Sequence, residues 1–61
     1  MQFEDLIKVI DDLQIVSLNI NGETITGRAF ALGAYVCETV SKGDVINAIV
    51  EGDTLKIWVK E

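Results

Sequence analysis

The sequence predicts a mainly β domain, in which one short N-terminal helix precedes a small, closed, strongly bent antiparallel barrel of five strands. Three observations predict it. Apolar residues recur at helical spacing from Phe3 to Leu13. From Ile15 onward the apolar period is two. Glycine-bearing turns divide that remainder into runs of strand length, and one run carries an internal glycine that reads as a bend.

In the first segment Phe3, Leu6, Ile7, Ile10 and Leu13 share one helical face, while Glu4, Asp5, Lys8, Asp11 and Asp12 take the other. This spacing predicts an amphipathic helix of about three turns. Its acidic start suits the helix dipole, and Asp11 and Asp12 suit its end poorly. A helix this short is marginal alone, so its apolar stripe must lie against a sheet.

Val16, Leu18 and Ile20 then alternate with Ile15, Ser17 and Asn19, which predicts the first strand. Asn21-Gly22 is a strong hairpin signal, because both positions tolerate positive φ. The returning strand is expected from Glu23 to Ala31, with a bulge or sharp bend at Gly27. Leu32-Gly33-Ala34 reads as a tight connection, and Tyr35 to Val40 as a third strand. A turn at Ser41-Lys42-Gly43-Asp44 leads to a fourth strand, Val45 to Val50, apolar on both faces apart from Asn47. Glu51-Gly52-Asp53 turns again into a fifth strand, Thr54 to Lys60. In it Leu55, Ile57 and Val59 point one way, and Lys56, Trp58 and Lys60 the other.

Length and composition limit what such a domain does. The chain has 61 residues, enough for one domain, 1–61, with a thin core. At this size apolar burial and chain entropy nearly cancel, so a staple is expected. Cys37 is the only cysteine, which excludes an internal disulfide. With no histidine and one thiol, a structural zinc site is not expected, and no cofactor is implied. The chain is nevertheless 49% hydrophobic, too apolar for a disordered segment. Self-association is the remaining staple, and a homo-oligomer is expected on this ground alone.

Ten acidic residues against five basic ones give a formal charge of −5, which weakly repels phosphate backbones. No apolar run reaches the roughly 18 residues of a membrane span. The acidic start Met1-Gln2-Phe3-Glu4-Asp5 lacks a signal-peptide layout, so a cytoplasmic setting is expected.

Against this background the chain resembles the Sm-like family, which includes the bacterial Hfq proteins. The family's first motif is a strand, a glycine turn, four residues, a second glycine and a bent strand. The run from Ile15 to Phe30, with Gly22 and Gly27, has that spacing. The second motif is an apolar pair, Arg-Gly, a short turn and an apolar strand. Ile49-Val50-Glu51-Gly52-Asp53-Thr54-Leu55-Lys56-Ile57-Trp58-Val59 has that outline. The resemblance covers nearly the whole chain. It implies a five-stranded, strongly bent antiparallel SH3-like (Sm-like) barrel whose edge strands pair between chains into a ring of five to seven copies. The family's nucleotide pocket uses an aspartate, an asparagine and the arginine of Arg-Gly. This chain places Gly33, Cys37 and Glu51 near those positions, which puts uridine-specific RNA binding in doubt.

Individual residues have bland and functional readings. Cys37 lacks the histidine or cationic neighbour that a nucleophilic thiolate needs, and reads as a small buried hydrophobe. Glu38, Glu51 and Asp53 read as solvated charges, although a ring would concentrate Glu51 and Asp53 into a weak cation site. Trp58 and Tyr35 are candidates for packing under the helix or stacking on a neighbour or ligand. Arg28, the only arginine, reads as a surface or interface charge. The candidate ligand or interface positions are therefore Gly33, Tyr35, Cys37, Glu51, Gly52, Asp53 and Trp58. Two functions fit: a non-enzymatic Sm-like ring serving as a scaffold for RNA or protein, or a small SH3-like structural or adaptor protein, of phage or mobile-element type, with protein partners only.

Overall fold

The computed structural model describes residues 1–36 and 38–60. Its elements, in chain order, are α1 (Phe3–Ile7), β1 (Ile15–Ile20), β2 (Glu23–Arg28), α2 (Ala29–Tyr35), α3 (Glu38–Ser41), β3 (Asp44–Glu51) and β4 (Thr54–Lys60). The strands form one open sheet in the order β2-β1-β4-β3. Two antiparallel hairpins, β1–β2 and β3–β4, meet along a parallel β1–β4 pairing.

The fold is mainly β, as the sequence predicts, but it is not a closed five-stranded SH3-like barrel. The reason lies in the middle of the chain. Of the segment expected to form a third strand, Tyr35 ends α2 and Glu38 to Val40 lie in α3. β2 ends at Arg28, short of the expected Ala31, and α2 begins at once. Ala29, Leu32, Gly33 and Val36 recur at helical spacing, and alanine favours the helix. Leu32-Gly33-Ala34 lies inside α2 and is not a connection. The chain thus crosses the sheet through α2 and α3. It returns on the far side of β1, so β4 runs parallel to β1 and both outer strands keep a free side.

α1 is also shorter than expected, five residues in place of three turns. Its continuation is diverted by polar anchors. Asp11 Oδ1 accepts the Leu13 N–H at 2.8 Å. Arg28 Nη1 donates to the Leu13 carbonyl at 2.7 Å. The first N–H groups of α2 find partners in the same loop, Ala29 on Gln14 O at 2.9 Å and Phe30 on Asp12 O at 3.1 Å. The loop therefore serves as the N-terminal cap of α2.

The helices cover one face of the sheet. Phe3, Val16, Leu18, Ile20, Ala29, Leu32, Ile57 and Val59 form the buried core. The predicted inward sets of β1 and β4 are the observed ones. The two hairpin turns also stand where expected: Asn21 and Gly22 both have positive φ, as a type I′ hairpin requires. Gly52 supplies positive φ for the β3–β4 turn.

Gly27 is neither at a bend nor at a bulge, since it pairs in register with Val16. A Cβ there would meet Leu32 at 3.7 Å, an ordinary contact. Gly27→Ala is accordingly expected to leave stability unchanged or to raise it by up to about 1 kcal/mol. A melting temperature depressed by more than 5 °C, against the roughly 4–8 °C per kcal/mol of small domains, would contradict this placement. The irregularity lies instead in β3, where the register shifts between Val45 and Asn47.

Candidate functional site

Among the described residues, the sequence-predicted positions do not converge. Gly33 lies in α2, where it helps to line a cleft of about 470 Å³ with Phe3, Ile7, Phe30 and Val36. Tyr35 is the last residue of α2, and its side chain is outside the described set. Cys37 lies outside the described residues altogether. Trp58 is half-buried on the sheet face away from the helices, between Asn19 of β1 and Asn47 of β3, so it does not pack under a helix. Only Glu51, Gly52 and Asp53 stay together, at the end of β3 and in its turn.

The carboxylates are likewise dispersed. Glu51 Oε2 accepts from Lys56 Nζ at 3.1 Å across the β3–β4 pair. Glu38 of α3 meets Lys42, just past the end of that helix, at 3.4 Å, an exposed pair. Asp53 contributes its backbone carbonyl to Gln14 Nε2 at 2.7 Å. Among the described residues, no three histidines, cysteines or carboxylates come together as metal ligands. No helix among them is long and apolar enough to cross a membrane.

What the fold does assemble is the outer edge of β3. All of its eight residues except Val45 are exposed. Ile46 is 63%, Ile49 43% and Val50 73% exposed, unusual values for aliphatic residues in a strand. Between Asp44 and Glu51 there is no charge and no proline, two of the usual guards of an edge strand.

The start of that edge is covered. Gln2 bridges Asp44, with Phe3 N–H on Gly43 O at 2.9 Å and Val45 N–H on Met1 O at 2.8 Å. The shift at Ile46 ends this cover. Beyond it, alternate residues of an antiparallel ladder point their backbone groups to opposite sides. Glu51 and Thr54 close the two-residue turn as a bonded pair. Asn47 and Ile49 therefore also face β4, while Ala48 and Val50 turn their N–H and C=O groups outward. The Ala48 N–H agrees, because it bonds to Asn47 Oδ1 at 2.9 Å. No other backbone group among the described residues bonds this stretch from outside the sheet.

Beside the edge lies a groove of about 270 Å³, lined by Ile10, Val50 and Leu55 with Gln14 and the turn residues Gly52 and Asp53. The sequence already shows this strand as apolar on both faces from Val45 to Val50 apart from Asn47. Single-residue reasoning missed Ile49 and Val50, because their exposure depends on how far the helices reach across the sheet.

No family model, curated protein or solved structure matches the chain.

Proposed function

We propose that this chain is a non-enzymatic structural or adaptor protein that works as a homo-oligomer, assembled through the exposed edge of β3. One observation carries the reading: an eight-residue edge strand that exposes Ile46, Ile49 and Val50, and whose outward backbone groups beyond Asn47 are covered by no other strand, the Ala48 N–H bonding only to the neighbouring Asn47 side chain. Such an edge is a template for another strand. A second strand would satisfy its backbone and bury Ile49 and Val50. It would also supply the staple that a domain of this size needs.

The opposite edge is different. β2 presents Glu23, Thr24, Thr26 and Arg28, all exposed and polar. A ring of the Sm-like kind would need β3 of one copy on the polar β2 of the next. RNA is not part of this reading. The uncovered sheet face holds Arg28, Lys56 and Lys60, but Lys56 is engaged by Glu51 and Trp58 is its only aromatic residue.

Light scattering at micromolar concentration tests the proposal. The wild-type protein should have a mass above the 6.7 kDa of one chain. Val50→Lys places a charge on the edge at a site 73% exposed in one chain, so it breaks no buried contact within the chain and costs only the stability that association supplies. Its mass should fall to that of one chain. A folded wild-type protein that is monomeric throughout, or an oligomer that Val50→Lys leaves intact, contradicts the proposal.

A further inference from the structure

Resting on the reading of β3 as an assembly edge, we infer that its occupant is β3 of a second copy, antiparallel, with the two-fold axis at Ile49, so that two sheets join into one of eight strands. The uncovered stretch is short and selects the register. Antiparallel partners directly opposite one another share a sheet face, and bonded pairs must both direct their backbone groups outward. Ala48 and Val50 do so, and Ile49 does not. Centring the axis on Ile49 sets Ala48 opposite Val50 of the other copy, twice by symmetry, for about four new hydrogen bonds. Forming them requires the Ala48 N–H to leave Asn47 Oδ1.

The side chains agree with this register. On the helix-covered face a small residue, Ala48, meets a larger one, Val50. On the opposite face the two Ile49 side chains meet as a non-bonded pair, the arrangement with the closest side chains. Glu51 falls opposite Asn47, so no like charges face one another. Centring the axis between Asn47 and Ala48 would set Asp44 against Glu51, and would run through the register shift and the segment that Met1 to Phe3 covers. Centring on Ala48 would draw Ile46, at the shift, into the pairing. The Ile49 register uses only Asn47 to Glu51. A β3 edge on β2 would instead put aliphatic side chains against Glu23, Thr24 and Thr26, and would not close with two copies.

Disulfide trapping tests this geometry. With Cys37→Ser, the thiol of Ile49→Cys becomes the only one. Across a non-bonded antiparallel pair the Cα atoms are about 4.5 Å apart, within disulfide reach. Mild oxidation should convert most of the protein to a covalent dimer. Val50→Cys in the same background points to the other face opposite Ala48, and should cross-link at least tenfold less. Circular dichroism confirms that each variant is folded, and the wild-type mass by light scattering should be twice 6.7 kDa. A mass of five to seven chains, or an associated wild type whose folded Ile49→Cys variant does not cross-link preferentially, overturns the two-fold register and leaves the assembly edge standing. A wild-type monomer at every concentration overturns the assembly edge itself.

Discussion

Phe3→Ala is expected to remove most of the stability of the domain. Phe3 is fully buried although it is the third residue of the chain and opens a helix of only five residues. That helix has no stability of its own at this length. It stays in place because Phe3 enters the core above the sheet and because its N–H bonds to Gly43 O at 2.9 Å. Truncating a buried phenylalanine costs about 3–5 kcal/mol. A 61-residue domain has roughly 3–9 kcal/mol in total, at about 0.05–0.15 kcal/mol per residue. Denaturant unfolding followed by circular dichroism should show a midpoint lowered by half or more, or no folded baseline. Phe3→Leu should keep most of the stability. If Phe3→Ala unfolds within about 0.5 kcal/mol of the wild type, α1 is not part of the core.

Gly43→Ala is expected to be the most damaging glycine replacement. A Cβ at this buried position would stand 2.5 Å from Val59 Cγ1, 3.1 Å from Lys60 O and 3.2 Å from Val40 O. Val59 is β-branched and held in the core, so its side chain has little freedom to turn away. The two carbonyls belong to the backbone and move only with it. Overpacking of this kind costs about 1–3 kcal/mol. Two comparisons isolate the cause. Gly27→Ala, where space exists, should be harmless. Combining Gly43→Ala with Val59→Ala should cost less than the sum of the single changes, because the second removes the atom that the first strikes. Strict additivity would show that Val59 is not what Gly43 makes room for.

The contrast between these glycines shows what the sequence made legible. Both hairpins could be read, because their signals are local: Asn21-Gly22 and Gly52 provide positive φ, and Val16, Leu18, Ile20, Leu55, Ile57 and Val59 keep a strict period of two. Residues 29–40 could not be read as easily. Their apolar residues satisfy either period over so short a run, and Gly33 resembled a turn although it sits inside α2 with Ile7 alongside. Reading that segment as a strand made the sheet antiparallel throughout and closed. With helices there, the two hairpins are joined by β1 and β4 in parallel, a pairing between residues far apart in sequence that no local signal encodes.

The candidate site divides in the same way. Glu51, Gly52 and Asp53 were identified as one turn and stay contiguous, with Glu51 as the last residue of β3 and Gly52-Asp53 as the turn. Gly33 and Trp58 were grouped with them through the barrel and lie in different layers without it. The apolar character of β3 was visible from Val45 to Val50, but its cause was not. A fully apolar strand usually lies inside a sheet, whereas this one lies at the edge, with only its start covered by Met1 to Phe3.

Amide hydrogen exchange at Val50 tests the central claim most directly. Its N–H points away from β4 and, unlike that of Ala48, is not bonded by the Asn47 side chain. In a single chain it should exchange at nearly the rate of an exposed amide. In the associated protein it should be bonded to Ala48 of the second copy, and exchange should slow at least tenfold, with protection lost on dilution and in Ile49→Lys. A Val50 amide that exchanges at the unprotected rate in a protein shown by light scattering to be associated would contradict the account.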